Sequence, residues 1–181
     1  MHLEEKTLSS NLAYQAKIFR VTKDTALIED GTEAVRDVVH HSGGVCVVPL
    51  TDRGTVLMVK QYRYPMHEIT WEIPAGKIEP GEDHYACGLR ELREEAGCTC
   101  KNYTYLGKLY PTPAYDTEVI HMYLARKLSA PEEQDLDDGE FLDVIEIPLS
   151  DAIDMIMNGK IHDAKTQIAL LKTWVLMQQC K

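Results

Sequence analysis

The chain has 181 residues, of which 44% are hydrophobic and 27% charged, and its formal net charge is −10. This length and composition are typical of one globular domain of ordinary size with its own hydrophobic core. The acidic balance argues against a nucleic-acid partner, which needs a basic surface. No apolar run approaches the roughly 20 residues that a membrane span requires, so we expect no membrane segment.

The first predicted elements are strands. Residues 18 to 28 and 33 to 40 have the composition of two short strands, and the turn Asp30-Gly31 separates them. Residues 45 to 50 and 56 to 63 are two further apolar runs joined by a short turn that contains Gly54. Runs with this spacing predict a hairpin within a central sheet.

The second half of the chain alternates helices and strands. A helix is predicted over residues 83 to 96, where Gly97 supplies the left-handed residue that ends it. Strands are predicted over residues 103 to 110, 119 to 126 and 141 to 147. Ser150 is the expected N-cap of a helix that ends near Gly159, and residues 166 to 179 form an amphipathic terminal helix. This order predicts an α+β fold, an α/β/α sandwich with a mixed central sheet between helices.

The cysteines indicate a reducing environment. Their number is odd, none forms a CxxC pair, and no histidine or cysteine cluster has the spacing of zinc ligands. Charged side chains at residues 4 to 6 are not typical of a secretory signal. We therefore expect a cytoplasmic protein with reduced thiols at Cys46, Cys87, Cys98, Cys100 and Cys180.

The helix predicted over residues 83 to 96 has two different faces. Glu91, Glu94 and Glu95 share one side at i, i+3 and i+4 spacing, where like charges repel. They lie near the C-terminal end of the helix, where the helix dipole disfavours acids. The opposite face, which should pack on the sheet, consists of Tyr85, Leu89, Leu92 and Ala96.

Two interpretations of the acidic face stay open at this point. In one, it is solvated and forms surface ion pairs with Arg90 and Arg93. In the other, the carboxylates hold a hard divalent cation such as Mg²⁺ or Mn²⁺, which prefers oxygen ligands. The turn through Gly76 permits a close backbone approach, so the carbonyl of Ala75 could join the metal ligands.

The spacing of this region resembles a known motif. Gly76, Glu82, Arg90-Glu91-Leu92, Glu94-Glu95 and Gly97-Cys98 occupy every fixed position of the Nudix box, so the chain is similar to the Nudix hydrolases. The resemblance implies a loop-helix-loop that binds Mg²⁺, with Mn²⁺ possible, and hydrolyses nucleoside diphosphates linked to a second group. It implies that Glu91 and Glu95 are the principal metal ligands, assisted by Glu94 and the Ala75 carbonyl, and that Arg90 and Glu82 form an orienting ion pair.

Features outside the box resemble the ADP-ribose pyrophosphatase group. They are Pro113 in a proline-rich loop, Arg63 at the end of a strand, and the stretch 141 to 166. The resemblance implies hydrolysis of ADP-ribose to AMP and ribose 5-phosphate, with Arg63 contacting the phosphates. Glu72 is a candidate for the metal shell or a ribose contact, and Glu118 matches an acid of the family. The alternatives are a broader hydrolase of GDP-mannose, UDP-sugars or ADP-sugars, and a non-catalytic nucleotide sensor.

The group also suggests a catalytic base and an assembly. Glu140, on a mobile acidic loop, is the expected catalytic base. Asp138 is the second candidate for this role and Glu118 is the third. Residues 1–41 are expected to form a small β segment that is swapped across a homodimer. Residues 42–181 are expected to form the Nudix domain, whose partner is a small nucleoside diphosphate derivative.

Overall fold

The computed structural model describes residues 2–130, 133–136 and 139–179, and the chain divides into two compact units. The smaller unit comprises Met1–Gly43 and Tyr110–Val119, and the larger one comprises Gly44–Leu109 and Ile120–Lys181. Across the described ranges, no helix has the length and apolar character needed to cross a membrane.

The smaller unit contains an antiparallel sheet of three strands, β1 (Lys6–Gln15), β2 (Phe19–Leu27) and β3 (Glu33–His41), in that order. The predictions of β2 and β3 are confirmed. The sequence did not predict β1, because all of its residues are exposed and it has no alternation of buried and exposed positions. The segment 110–119 joins this unit through hydrogen bonds between the backbones of Val39, Tyr115 and Thr117.

The larger unit is built around a sheet of seven strands in the order β10-β5-β4-β9-β8, with β6 paired to β5 and β7 paired to β4. The strand β4 runs parallel to β9 and antiparallel to β7, so the sheet is mixed. The strands are β4 (Gly44–Leu50), β5 (Thr55–Arg63), β6 (Glu68–Glu72), β7 (Ala75–Lys77), β8 (Cys100–Leu109), β9 (Ile120–Leu128) and β10 (Leu142–Pro148). The helices are α1 (His84–Ala96), α2 (Leu149–Met157) and α3 (Ala164–Gln179).

Helices cover both faces of this sheet. The buried strand β4 directs Val45 and Val47 into a cluster with residues of α1, and Cys46 and Val48 into a second cluster with residues of α2 and α3. Successive residues of a strand point to opposite faces, so one strand contributes to both cores. The predicted α/β/α sandwich is confirmed.

The predicted hairpin of β4 and β5 is joined only at its turn. The two strands pair at Leu50 and Val56 and then separate. The segment 68–77 occupies the opening, because β6 pairs with β5 and β7 pairs with β4. This separation places the ends of β6 and β7, with Glu72 and Ala75, in the middle of the sheet.

Helix α1 begins and ends as its sequence predicts. The Asp83 side chain accepts hydrogen bonds from the backbone amides of Tyr85 and Ala86, and Gly97 ends the helix with a left-handed φ of 60°. The predicted start of α2 is wrong by two residues. That helix begins at Leu149 after Pro148, and Ser150 lies inside its first turn.

The predicted packing face of α1 is confirmed for Leu92 and Ala96, which are buried, and wrong for Tyr85 and Leu89. Tyr85 is 51% exposed and Leu89 is only half-buried. The buried side of the helix is instead formed by Cys87, Gly88, Glu91, Leu92, Glu95 and Ala96. Small residues let this side approach the sheet closely, so two of the glutamates lie on the inner face of the helix instead of the outer one.

Gly88 fixes the distance between α1 and the sheet. A Cβ atom at this position would overlap the hydroxyl of Tyr103 and lie 2.7 Å from Val45 Cγ1. The Tyr103 hydroxyl is buried and has no hydrogen-bond partner among the residues that the structure describes. The helix therefore packs as closely as a glycine allows.

We expect Gly88→Ala to lower the free energy of unfolding by about 1–3 kcal/mol, because the extra methyl group overpacks this contact. Tyr103→Phe should raise it by about 1 kcal/mol, because a buried hydroxyl without a partner is removed. Gly88→Ala should lower the free energy of unfolding less in the Tyr103→Phe background than in the wild type, because the hydroxyl that overlaps the new methyl group is absent there. Urea denaturation measures all three.

Tyr105→Phe is the matched control for the hydroxyl, because that hydroxyl is hydrogen-bonded to His121 Nδ1 at 2.9 Å. We expect no gain in stability from it. Strictly additive effects of Gly88→Ala and Tyr103→Phe would contradict the packing described here.

Candidate active site

Two carboxylates of α1 are buried against the sheet. Glu91 and Glu95 are 8% and 1% exposed, respectively. The strand β7 passes directly beneath the first of them, since a Cβ atom at Gly76 would overlap the Glu91 carboxylate. A glycine is therefore required where this strand and the helix meet.

The burial changes the acidity of both groups. Burial raises the pKa of Glu91 to about 7, although the neighbouring Arg90 charge lowers it in part. Burial likewise raises the pKa of Glu95 to about 8, against a hydrogen bond from the Ala75 amide to Glu95 Oε2 at 2.9 Å. Two buried acids with raised pKa values form a site that gains stability from an added positive charge.

Arg90 links the acids of the helix to the loop before it. Its guanidinium donates to Glu82 Oε1 at 2.9 Å, to Glu91 Oε1 at 2.7 Å and to Glu94 Oε2 at 2.8 Å. The hydrogen bond from Arg90 lowers the pKa of Glu82 to about 2. The ion pair expected between Arg90 and Glu82 is thus present, and the same guanidinium also binds two of the candidate metal ligands.

The donor set suits a hard divalent cation, but its side chains are not gathered around one point. Among the described residues, no three His, Cys, Asp or Glu side chains converge as ligands would. Arg90 binds Glu91 and Glu94, while the Ala75 amide binds Glu95. Carboxylate oxygens such as those of the buried Glu91 and Glu95 are nevertheless the ligands that Mg²⁺ prefers. The residues therefore fit such an ion in their chemistry.

An arginine lies beside the acids, at the end of β5. Arg63 Nε and Nη2 donate to the two oxygens of Glu72, both at 2.6 Å. Burial raises the pKa of Glu95 and the positive charge of Arg63 opposes that rise, while the hydrogen bond to Glu72 raises the pKa of Arg63 and the charge of Glu95 adds to it. The guanidinium is thus close enough to the buried acids to interact with them electrostatically.

The loop before β10 also reaches this region. Burial raises the pKa of both Glu91 and Glu95, and the negative charge of Glu140, a residue of this loop, adds to both shifts. The side-chain amide of Gln134 donates to the backbone carbonyl of Glu95 at 2.6 Å, and the backbone amide of Asp135 donates to the backbone carbonyl of Glu94 at 3.0 Å. The loop is therefore attached to the C-terminal end of α1. Asp138, the second candidate for the base, lies outside the described residues.

Two candidate residues belong to the smaller unit. Pro113 is exposed in the segment 110–119. Glu118 lies at the end of the same segment, with Oε1 3.4 Å from His41 Nδ1. The other nine candidates, Arg63, Glu72, Ala75, Glu82, Arg90, Glu91, Glu94, Glu95 and Glu140, all belong to the larger unit.

Lys165 was not among the site residues predicted from the sequence, although it lies beside them in the structure. Its ammonium group donates to Glu72 Oε2 and to Asp163 Oδ1. The side chain is 12% exposed, which is unusual for a lysine. The only signal in the sequence was the pair of opposite charges two residues apart at the start of the last helix.

Two histidines that are far apart in the sequence lie together in the structure. His84 and His121 stack with ring centroids 3.9 Å apart, and the Tyr123 hydroxyl hydrogen-bonds His84 Nδ1 at 2.5 Å.

The expectation about the thiols is confirmed for the four cysteines in the described residues, which are all free. Burial raises the pKa of Cys87 to about 12, so this side chain is suited to packing and not to nucleophilic attack.

A family model described as the NUDIX domain matches residues 40–168. The chain is 38% identical over 169 residues to an ADP-ribose pyrophosphatase of Bacillus subtilis (strain 168), a match that covers 93% of this chain and 91% of the relative. It is also 38% identical over 168 residues to a methanol dehydrogenase activator of Bacillus methanolicus, covering 92% of this chain and 91% of the relative.

A solved structure agrees with the fold. The crystal structure of an ADP compounds hydrolase superposes with a TM-score of 0.85 and covers 98% of this chain and 96% of its own. Its sequence identity is 22%, so the likeness concerns the fold alone.

The raised pKa values predict a pH-dependent effect of Mg²⁺ on stability. The folded-state pKa values of Glu91 and Glu95, about 7 and about 8, lie above the ordinary value of 4.5. Without metal their contribution to stability is therefore present below pH 4.5 and is lost as the pH rises through 7 to 8. Mg²⁺ binds the deprotonated acids, so its stabilising effect should grow over the same range.

Thermal melts in Mg²⁺ and in EDTA measure this effect. We expect the difference in Tm to widen by about 5 °C or more between about pH 6 and about pH 9. The double variant Glu91→Gln/Glu95→Gln should lose both the difference and its pH dependence. Equal stabilisation by Mg²⁺ at both pH values would contradict the prediction.

Proposed function

Since the chain belongs to the Nudix family, we propose that it hydrolyses the pyrophosphate of ADP-ribose to AMP and ribose 5-phosphate with the help of Mg²⁺. The observation that carries the proposal is the pair of buried carboxylates, Glu91 and Glu95, above Gly76 on the inner face of α1. The similarity to an ADP-ribose pyrophosphatase over most of both chains supports ADP-ribose as the substrate.

In the proposed reaction the acids of α1 hold the cation, with Glu91 and Glu95 as principal ligands and Glu94 and the Ala75 carbonyl as further ones. Mn²⁺ has the same ligand preference and can replace Mg²⁺. When bound, the cation neutralises pyrophosphate oxygens and lowers the pKa of the attacking water.

The remaining residues position the reactants. Glu140 accepts a proton from the attacking water. As it does so, the water oxygen bonds to phosphorus and the bridging P–O bond of the pyrophosphate breaks. Arg63 binds phosphate oxygens with the part of its guanidinium that Glu72 does not use. The ion pair of Arg90 and Glu82 keeps the loop before α1 against the helix.

Pro113 and Glu118 are proposed to contact the substrate, in keeping with the resemblance to the ADP-ribose pyrophosphatase group. Both belong to the segment 110–119, which the chain inserts into the small unit from between β8 and β9.

A substrate panel tests the proposal. The purified protein with Mg²⁺ is incubated with ADP-ribose, GDP-mannose, UDP- and ADP-sugars, NADH, diadenosine phosphates and deoxynucleoside triphosphates. We expect ADP-ribose to give the highest kcat/KM, with AMP and ribose 5-phosphate as products. Much faster turnover of the triphosphates would overturn the substrate assignment.

The alternative within the same chemistry is a broader hydrolase of nucleoside diphosphate sugars. It uses the same metal site, and the panel separates it by comparable kcat/KM values for GDP-mannose and ADP-ribose. A nucleotide sensor without turnover is disfavoured, since all the acids of the motif are in place. Binding of ADP-ribose in a calorimeter without release of AMP would favour the sensor.

A second candidate function follows from the similarity to a methanol dehydrogenase activator. Here the chain raises the activity of an alcohol-oxidising dehydrogenase. Adding the purified protein to such a dehydrogenase, with the Glu95→Gln variant as control, tests the idea. An unchanged dehydrogenase rate with the wild-type protein would exclude it for the enzyme tested.

We also propose a cytoplasmic homodimer in which residues 1–41 are exchanged between subunits and residues 42–181 form the Nudix domain. Every residue of β1 is exposed, including Leu8, Leu12 and Tyr14 at 46%, 63% and 59%. Apolar side chains exposed along a strand are suited to a partner surface. Sedimentation as a monomer at micromolar concentration would contradict the dimer.

Glu95→Gln tests the metal site. It removes one ligand charge at nearly constant shape, and we expect kcat to fall by about two orders of magnitude or more. Circular dichroism should show an unchanged fold. Glu79→Gln, an acid of the preceding loop to which no role is assigned, should behave as the wild type. An activity of Glu95→Gln within a few-fold of wild type would refute the ligand assignment.

Glu140→Gln tests the base. We expect kcat to fall by about 10²-fold or more while the Mg²⁺ concentration needed for half-maximal rate stays the same, since a general base contributes to the proton transfer and not to metal binding. Unchanged turnover would move the role to Glu118 or Asp138.

A further inference from the structure

Arg63 belongs to a cluster of four charged side chains, whose other members are Glu72, Lys165 and Asp163. Its centre is Glu72, a carboxylate at the end of β6 that is only 1% exposed. Both of its oxygens are in use. Oε1 accepts from Arg63 Nε and from Thr70 Oγ1, both at 2.6 Å. Oε2 accepts from Arg63 Nη2 at 2.6 Å and from Lys165 Nζ.

This set of donors leaves Glu72 no capacity for a further partner. An ionised carboxylate has about four acceptor sites, and four donors occupy them here. A metal ion or a ribose hydroxyl would have to displace one of the donors. Glu72 is therefore suited to hold its neighbours in place and not to bind metal or substrate itself.

Lys165 connects this carboxylate to the start of α3. Its ammonium group also donates to Asp163 Oδ1 at 2.9 Å. Asp163 is in turn tied to the first turn of the helix, since its Oδ2 accepts from the backbone of Thr166 at 2.9 Å. Four charges thus alternate in sign along the cluster, in the order Asp163, Lys165, Glu72 and Arg63.

The same turn of α3 also supports the backbone that enters the metal site. The Thr166 hydroxyl is fully buried and accepts a hydrogen bond from the Ile73 amide at 3.0 Å. Two residues later, the Ala75 amide donates to Glu95. The start of α3 therefore fixes both the partner of Arg63 and the strand beneath the candidate ligands.

Arg63 keeps one nitrogen for a further contact. Its Nε and Nη2 atoms point to Glu72, while Nη1 has no hydrogen-bond partner among the described residues. Its side chain is 40% exposed, so this edge can reach an anion from solvent. A guanidinium held on one side by a carboxylate is pre-organised for phosphate on the other.

We propose that Lys165 and Glu72 are positioning residues, which hold the Arg63 guanidinium in the orientation that binds a phosphate of the substrate. The substrate part of this inference rests on the proposed pyrophosphate hydrolysis, whereas the orientation of Arg63 does not. Loss of Lys165 would leave an acceptor site of Glu72 empty, and the Arg63 pair would then be free to move.

The first arm of the test is kinetic. We expect Lys165→Met to raise KM by about tenfold, as expected when a charge-assisted phosphate contact is weakened, and to change kcat by less than about threefold. The Mg²⁺ dependence should stay unchanged, which it would not do if Glu72 were a metal ligand. Lys165→Arg should restore most of the KM. Lys172→Met, an exposed lysine of the same helix, is the matched control.

The second arm needs no activity. In ¹⁵N-labelled protein, the Arg63 Nε–H signal is assigned by its loss in Arg63→Lys. We expect Lys165→Met to shift this signal and to speed its exchange with water, and Lys165→Arg to leave it near its original position. Asp163→Asn, which keeps the helix cap but removes the charge that holds Lys165, should shift it in the same direction and serves if Lys165→Met does not fold.

The kinetic and the nuclear magnetic resonance experiments can each contradict the proposal independently of the other. An Arg63 signal with unchanged position and exchange in the Lys165 and Asp163 variants would overturn the positioning role, whatever the kinetics. A shifted signal with an unchanged KM would instead remove Arg63 from substrate binding. A wild-type protein that hydrolyses no compound of the panel would refute the proposed function, and the nuclear magnetic resonance arm would still decide the positioning of Arg63.

Discussion

The larger unit is organised around the burial of Glu91 and Glu95 between helix α1 and the strand beneath it. Placing two carboxylates out of water is costly unless each has a partner. The chain supplies Arg90 for the first and the Ala75 amide for the second, and it omits a side chain at Gly76 so that the strand can pass. The pKa values stay raised in spite of these partners, which makes the acids responsive to an added cation.

Much of the remaining architecture serves to hold this helix in place. Asp83 and Gly97 fix its two ends, and Gly88 lets it approach the sheet until it meets Tyr103. The separation of β4 from β5 admits the segment 68–77, which brings Ala75 to the helix, where its amide donates to Glu95. Close packing against the sheet leaves the carboxylates of Glu91 and Glu95 little conformational freedom.

Two different kinds of support surround the acids. On one side, the charged cluster from Asp163 to Arg63 surrounds the buried Glu72 carboxylate and satisfies both of its oxygens, which favours a fixed geometry. On the other, described residues of the loop that carries Glu140 bind α1, since Gln134 and Asp135 donate to carbonyls at its C-terminal end and Asp135 also accepts a hydrogen bond from Arg93.

The sequence by itself determined the strands with clear apolar patterns, the ends of α1 and the Nudix motif, because these depend on local periodicity, capping residues and fixed spacing. It did not determine which side of α1 is buried, since three glutamates at helical spacing look like a solvated face until Gly76 and Gly88 bring the sheet close. It also gave no sign of β1, whose residues are all exposed. Only the tertiary structure joined Lys165 to Glu72 and Arg63, because the ion pair between Lys165 and Glu72 spans residues that are 93 positions apart in the chain.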